Sequence, residues 1–284
     1  MREILVCLLL FSSTFALEQV PVASCSNFDR GFFSGFHTVI GLLDAYEKEE
    51  ISGIEIDLGT TGLYYDSTKG PNWWGYYFKP LSIPVHKESP RIPILTGTYE
   101  AYSFRGNRDL SKERCYYLIE KYIKIRPEIL EEVEEFLEKN MRKSHFVGVQ
   151  YRGTDKIQTQ EANELSVEAA VLKVKQELFH MEQFQENKIF VATDDQFFLE
   201  AMQKEFGKRV CYFEMERSTD NRPIHFYGQS SGYIKGKMAL LDCLVLSKSS
   251  FLFRTASNLS NVSLIFNPSL PSYPLNQGWG GERA

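Results

Sequence analysis

From residue 145 onward, the chain alternates short apolar segments with longer segments of helical periodicity. The apolar segments read HFVGVQY, KIFVATDD, RVCYF and SFLFRT, and the helical segments cover 166–185, 196–206, 235–247 and 258–264. Neighbouring strands that are joined through helices are parallel, because a parallel pair needs a long crossover connection. The pattern therefore predicts an α/β fold in which a parallel sheet carries helices on both faces.

The N-terminal half shows the same two patterns less regularly. The predicted elements are helices at 38–50, 111–124 and 127–140 and a strand at GIEIDL. Ser111 is a suitable N-cap for the helix that follows it. Residues 62–80 are rich in aromatic residues, glycine and proline, so we expect a loop there. The tryptophans of this loop either pack in the core or stack on sugar rings.

Polar residues follow each of the four C-terminal strands, and in an open α/β sheet ligands bind at this end of the strands. These residues are Arg152, Gly153, Thr154, Asp155 and Lys156, then Thr193, Asp194 and Asp195, then Glu214 and Glu216, and finally Thr255, Ser257 and Asn258. All four groups should lie along one edge of the sheet. The edge would combine two cations, several carboxylates and the start of a helix.

A nucleoside diphosphate suits such an edge. Arg152 offers a planar fork of donors for phosphate, and Gly153 lets the backbone approach a ligand closely. The helix that begins near Asn258 presents free N–H groups that attract anions. Asp194 or Asp195 can accept hydrogen bonds from a base or a ribose. The alternative is structural, with Arg152 in an ion pair and the two aspartates as a helix N-cap.

Composition and missing motifs exclude several other classes. The net charge is −5 and no basic stripe is present, so we expect no nucleic-acid partner. No G-x-x-x-x-G-K-[ST], no G-x-G-x-x-G after the first strand and no G-x-S-x-G occurs. No D-x-D occurs either, although enzymes that bind a nucleotide sugar through a divalent ion usually carry such a pair. We therefore expect neither a metal nor a cofactor.

Residues 1–16 read as a secretory signal peptide, because Arg2 precedes an apolar run and Ser-Ser-Thr-Phe-Ala follows it. We predict cleavage after Ala16; a short signal anchor is the alternative. The run is shorter than the ~20 residues of a membrane span, so we expect no transmembrane span after cleavage. An oxidising compartment permits disulfides among the four remaining cysteines, although Cys211 and Cys243 lie in apolar stretches typical of buried thiols.

Three segments, VQYRGTDK, VATDD and GKMALLDCLVLSKSSFLFRTASNLS, follow one another in a specific order. Together they resemble the GDP-fucose-dependent fucosyltransferases, which include the α1,6 enzymes, the bacterial nodulation fucosyltransferases and, more distantly, the protein O-fucosyltransferases. The resemblance covers residues 145 to about 265. In the N-terminal half it is limited to a Gly/Phe-rich opening at 31–36, which contains Gly35, and to a PEI helix start at 127–129.

The resemblance implies a GT-B fold with two Rossmann-like halves. We assign 17–142 to an acceptor-side domain and 143–284 to a domain that binds the GDP-sugar. The implied reaction is metal-independent transfer of fucose, with inversion, from GDP-fucose to a glycan or protein acceptor. The implied compartment is the lumen of the secretory pathway (ER or Golgi), where donor is supplied, or the protein is secreted.

The resemblance also implies residue roles. Arg152 would hold the β-phosphate and help the leaving group depart, while Asp194 or Asp195 would contact the guanosine. Lys156 and Glu161 complete the catalytic candidates. The other candidates for substrate binding are Tyr151, Gly153, Thr154, Asp155, Thr255, Ser257, Asn258 and Gly35.

The chain departs from the family pattern at two positions. Many α1,6 enzymes have a second arginine where this chain has Gly153, and a glutamate where it has Gln160. Glu161 lies one place further along and Glu164 is another candidate for the base. The alternative function is therefore a non-catalytic relative that binds a glycan or nucleotide. A third possibility is an α/β protein whose edge charges form only ion pairs.

Overall fold

The structure is a computed structural model, and it describes residues 21–26, 30–59, 62–85, 87–94, 110–141, 145–153 and 163–276. The predicted signal peptide lies outside these residues. Within the described ranges, no helix combines the length and the apolar character that a membrane span requires.

The described residues form strands and helices that are numbered along the chain. The strands are β1 (Val22–Ser26), β2 (Gly53–Asp57), β3 (Arg91–Ile94), β4 (Phe146–Tyr151), β5 (Lys188–Thr193), β6 (Val210–Cys211), β7 (Phe251–Arg254) and β8 (Ser272–Pro274). The helices are α1 (Phe32–Glu47), α2 (Trp74–Tyr77), α3 (Lys112–Tyr122), α4 (Pro127–Met141), α5 (Val167–His180), α6 (Gln196–Phe206), α7 (Ile224–Tyr227), α8 (Gly232–Ser247) and α9 (Asn258–Phe266).

These strands form two parallel sheets. The N-terminal sheet has the order β2-β1-β3, and the C-terminal sheet has the order β6-β5-β4-β7-β8. In the C-terminal sheet the chain first builds outward from β4 through β5 and β6, and then returns to the other side of β4 with β7. This reversal beside β4 is the switch point at which open α/β sheets bind ligands.

Helices cover both faces of the C-terminal sheet, as the sequence pattern predicts. On one face, Val147, Val149 and Tyr151 of β4 pack in a cluster with residues of α5 and α6. On the other face, Phe146 and Phe190 join a larger cluster that includes α8 and α9. The larger cluster also contains residues of α1 and α2, so it spans the predicted domain boundary at 143. That boundary stays a prediction.

The aromatic loop packs in the core. Trp73 and Trp74 are buried, which confirms the packing alternative for these two residues. The hydroxyl of Tyr77 donates a hydrogen bond to the backbone oxygen of Tyr233 in α8 at 2.9 Å, and the two rings stack. The aromatic loop thus joins the N-terminal half to α8.

Some predicted elements differ from the structure. Helix α1 begins at Phe32 rather than at residue 38, because Phe32, Phe33 and Phe36 are buried and a helix aligns them with the core. Strands β1, β3 and β8 were not predicted from the sequence because they are short and lack a clear alternation. The four described cysteines are buried free thiols, so the disulfides that an oxidising compartment permits are not formed.

Candidate active site

A cavity opens at the carboxyl ends of β4 and β5, beside the switch point. Its lining includes the cations Arg152 and Lys235, the imidazole of His225, and the carboxylates Asp194, Glu216 and Asp242. Its apolar lining residues are Ala192, Met215, Ile224, Ile234, Met238, Ala239 and Leu259. The N-terminal half contributes Tyr64, whose hydroxyl accepts a hydrogen bond from the backbone N–H of Phe32 at 2.9 Å.

Arg152 lies at the end of β4 and is held there through its backbone. Its N–H donates to Oγ1 of Thr255 at 3.0 Å, and that hydroxyl donates to Oε1 of Gln150 at 3.0 Å. The guanidinium is three-quarters buried, with Nη2 lying 3.3 Å from Nδ1 of His225 and Nε lying 4.0 Å from Oδ2 of Asp194. The side chain therefore stands between an imidazole and a carboxylate in the cavity wall.

The structure gives different places to the two adjacent aspartates. Asp195 is the N-cap of α6, where its Oδ1 accepts a hydrogen bond from the N–H of Phe198 at 3.0 Å. Burial raises the pKa of this carboxyl, although the backbone hydrogen bonds act in the opposite direction. Asp194 lines the cavity instead. The sequence alone does not say which aspartate caps the helix and which one faces a ligand. The structure gives the cap to Asp195 and the lining position to Asp194.

The residues after β7 lie behind the cavity wall. The hydroxyl of Thr255 accepts the hydrogen bond from the backbone N–H of Arg152. Ser257 is the N-cap of α9 and accepts a hydrogen bond from the N–H of Ser260 at 3.2 Å. Oδ1 of Asn258 is buried and, within the described part of the chain, accepts no hydrogen bond. The cavity wall here is formed by the following residue, Leu259.

The remaining predicted residues are distributed as follows. Tyr151 lines the cavity, its ring stacks on Phe198, and its hydroxyl donates to the backbone oxygen of Leu165 at 2.8 Å. Burial raises the pKa of this phenol. Gly153 lies against the ring of Tyr151. Gly35 lies inside α1, buried in the core and away from the cavity lining. Thr154, Asp155, Lys156 and Glu161 lie outside the described residues.

Asp242 is a cavity residue that sequence reasoning missed. It lies in α8, is only 5% exposed, and lines the cavity without a hydrogen bond from any described residue. Burial raises its pKa to about 7, Arg217 lowers it, and Asp194 raises it. The available signal was an aspartate inside the apolar segment MALLDCLVLS, since a buried carboxylate is costly unless a partner compensates it.

One face of α8 lines the cavity with a basic residue, then apolar residues, then an acidic residue; we call this row of residues the stripe. Lys235 comes first, Met238 and Ala239 follow one turn later, and Asp242 follows after another turn. At 1.5 Å per residue, Lys235 and Asp242 are about 10 Å apart along the helix axis. The stripe thus offers a cation, an apolar surface and a carboxylate in sequence. Among the described residues, no three His, Cys, Asp or Glu side chains are grouped to hold a metal ion.

A family model described as alpha-(1,6)-fucosyltransferase N- and catalytic domains matches residues 111–262, which is just over half of the 284-residue chain. No curated protein sequence matches the chain.

Solved structures of fucosyltransferases share the fold. The structure of NodZ alpha-1,6-fucosyltransferase soaked with GDP-fucose has 15% sequence identity and a TM-score of 0.55, covering 88% of this chain and 93% of that chain. Fucosyltransferase NodZ from Bradyrhizobium has 14% identity and a TM-score of 0.55, covering 86% and 92%. POFUT1 in complex with GDP has 10% identity and a TM-score of 0.51, covering 91% and 98%. These likenesses confirm the predicted GT-B-like α/β fold.

Proposed function

Because this chain belongs to the family of the alpha-(1,6)-fucosyltransferase N- and catalytic domains, we propose that it transfers fucose from GDP-fucose to a glycan or protein acceptor, with inversion and without a metal. The observation that carries the proposal is a cavity at the switch point whose lining combines two cations, an apolar surface and a buried carboxylate. We propose that the reaction takes place in the lumen of the secretory pathway.

The cationic part of the cavity suits the diphosphate. Arg152 presents a planar fork that can donate two hydrogen bonds to phosphate oxygens, and Lys235 adds a second cation. When the bond between the sugar and the β-phosphate breaks, negative charge grows on the phosphate oxygens. Fixed side-chain cations stabilise that charge in the transition state. This is the basis for proposing transfer without a metal.

The carboxylate and the apolar surface of the cavity suit guanine. Guanine carries two adjacent donors, N1–H and the N2 amino group, and a carboxylate such as that of Asp242 can accept from both. Adenine has no such adjacent pair, and uracil has one N–H between two carbonyl oxygens. Met238 and Ala239 offer apolar surface for the faces of the base. We therefore propose that Asp242 selects a guanine nucleotide.

The proposed transfer is a single displacement at the anomeric carbon of fucose. An acceptor hydroxyl attacks from the face opposite to GDP, the new C–O bond forms as the bond to the β-phosphate oxygen breaks, and that oxygen takes the electron pair. A carboxylate accepts the proton of the hydroxyl. Glu161 and Glu164 remain the predicted candidates for this base.

Calorimetric binding of GDP, ADP and UDP tests the nucleotide assignment, and release of GDP from GDP-fucose tests the activity. We expect GDP to bind most tightly, and Asp242→Asn to weaken GDP by about ten-fold or more, because the new amide turns a donor toward the donors of guanine. Glu200→Gln, on the exposed face of α6, is the control and should bind GDP normally.

Two outcomes would change the proposal. Absence of GDP binding by the unaltered protein at millimolar concentration would refute it. Binding of GDP without turnover of GDP-fucose, with water or with any acceptor tried, would favour the alternative of a non-catalytic relative.

A further inference from the structure

A long connection between β6 and α8 supplies much of the cavity wall. Residues 212–231 contain only the short helix α7, yet Met215, Glu216, Ile224, His225 and Ser230 from this connection line the cavity. Such long connections are uncommon in compact domains unless they have a function. Much of the connection is poorly covered, and the side chains of Phe226 and Tyr227 are more than half exposed. Met215 packs against the large hydrophobic cluster, but contacts other than core packing must hold the exposed part of the wall around Phe226 and Tyr227 in place.

The first part of this connection is anchored to the sheet. The N–H of Ser218 donates to the backbone oxygen of Asp194 at 2.8 Å, and the N–H of Gln196 donates to the backbone oxygen of Ser218 at 3.0 Å. Arg217 donates to the backbone oxygen of Phe213 at 2.7 Å. These contacts fix Glu216, which lies between them in sequence, relative to the end of β5.

The second part is residues 224–231, which we call the latch segment, and one carboxylate of the first part accepts hydrogen bonds from two of its backbone N–H groups and one of its hydroxyls. Oε1 of Glu216 accepts a hydrogen bond from the N–H of Gln229 at 2.7 Å. Oε2 accepts from both the N–H and the hydroxyl of Ser230, each at 2.8 Å. These hydrogen bonds hold the pKa of Glu216 below its usual range, so the carboxylate is ionised at neutral pH.

Two further features support the same geometry. Nζ of Lys235 donates to the backbone oxygen of Gly228 at 2.7 Å and ties the latch segment to the first turn of α8. A Cβ at position 228 would lie 2.6 Å from the backbone oxygen of Ile224 and 3.0 Å from Oε2 of Glu216. Glycine at 228 is therefore what allows the segment to close on the carboxylate.

We propose that Glu216 is a positioning residue that holds the latch segment, and with it His225 and Ser230, as a preformed wall of the nucleotide cavity. A preformed wall lowers the ordering cost of binding, so its loss should weaken ligand affinity. The identity of the ligand rests on the proposed function, whereas the inference that Glu216 holds the latch segment in place does not depend on it. Glu216 faces the backbone of the segment rather than the reacting atoms, so we expect its loss to raise KM for GDP-fucose more than it lowers kcat.

The test compares Glu216→Ala and Glu216→Gln with the control Glu214→Gln, a neighbouring glutamate that is exposed and outside the cavity lining. Amide hydrogen exchange of residues 224–231, calorimetric binding of GDP and thermal unfolding are measured for each variant. We expect Glu216→Ala to speed exchange in the latch segment and to weaken GDP by about ten-fold or more. The melting temperature should change little, because the segment adds little to the core.

Glu216→Gln makes the test more specific and serves if the alanine variant does not fold. Its amide keeps one acceptor oxygen for Ser230, but its NH₂ group would face the N–H of Gln229. An intermediate loss of protection and affinity is therefore expected. Unchanged exchange in both variants, or faster exchange with unchanged GDP affinity, would overturn the proposal. If the unaltered protein binds no GDP, the proposed function fails, and the exchange data still decide whether Glu216 holds the segment.

Discussion

Arg152 illustrates how a single side chain is made available for chemistry. Its backbone N–H is bonded to Thr255, which fixes the residue at the end of β4 without using the guanidinium. The guanidinium stands in the cavity beside His225 and Asp194. The main chain thus fixes the position of Arg152, while its guanidinium forms part of the cavity wall.

Arg152→Ala should lower the rate of GDP-fucose turnover by about ten-fold or more, because a hydrogen bond to a charged group contributes about 1.5–3 kcal/mol. Arg152→Lys should also be slower than the unaltered protein, since the ammonium restores the charge but not the planar fork. Initial rates of GDP release measure both effects, with the melting temperature as the control for folding. A normal rate in Arg152→Ala would show that this residue does not stabilise the leaving group.

Asp242 should make the stability of the unliganded protein depend on pH. Its pKa is about 7 in the folded chain against an ordinary value of 3.8, mainly because burial disfavours the charged form. The folded state therefore binds the proton more tightly than the unfolded state, and this contribution to stability is lost as pH rises from about 4 to about 7. Above that range the ionised carboxylate destabilises the fold by at most on the order of 4 kcal/mol.

Asp242→Asn removes this penalty. We expect the variant to have a higher free energy of unfolding than the unaltered protein at pH about 8, and the difference to shrink as pH falls toward about 5. Urea unfolding at several pH values measures the difference. A difference that is the same at every pH would show that Asp242 does not titrate in this range.

At the scale of elements, the packing of α2 against α8 requires the side chain of Tyr77 to lie close to the backbone of α8 at Gly236. A Cβ at Gly236 in α8 would collide with the hydroxyl of Tyr77, whose ring stacks on Tyr233 and whose hydroxyl bonds to the backbone of Tyr233. The position is buried. A methyl group there would push the aromatic loop away from α8.

Gly236→Ala should therefore destabilise the protein by about 1–3 kcal/mol, although alanine is intrinsically the better helix former by about 1 kcal/mol. The matched control is Gly75→Ala in α2, where a Cβ would have no neighbouring atom within 4 Å. Urea unfolding of both variants measures the effect. Equal stability of Gly236→Ala and Gly75→Ala would mean that the two elements do not pack as closely as described.

At the scale of the whole molecule, the two sheets share one hydrophobic cluster. This cluster contains residues of α1 and α2 together with residues of β4, β5, α8 and α9. The same strands, β4 and β5, carry the second cluster on their opposite face. Loss of either half would expose the apolar surface of the other, so we expect the halves to unfold together.

A Trp279→Phe variant makes this cooperativity measurable, since Trp73 and Trp74 are then the only tryptophans and both lie in the N-terminal half. We expect their fluorescence and the amide exchange of α5 and α6 to report one coincident transition in urea. Two separated midpoints would show instead that the halves are independent folding units.

The sequence by itself determined the features that depend on local pattern. The bounds of α6 and the capping role of Ser111 agree with the prediction, because helical periodicity and N-cap chemistry act within a few residues. The parallel sheet followed from the alternation of strands and helices. The polar edge followed from the same alternation, because parallel strands end on one side; there the cavity contains Arg152, Asp194 and Glu216.

Only the tertiary structure decided which residues meet across long distances in the sequence. Helix α1 starts early because distant aromatic residues bury its phenylalanines. Asp194 and Asp195 have different roles because Asp195 caps α6 and Asp194 lines the cavity. Asp242 interrupts an apolar helix, and the helical periodicity does not show which residues surround its carboxylate. The packing of α8 against β4 and β5 places that carboxylate in the lining of the cavity. Its role is set by what surrounds it in space.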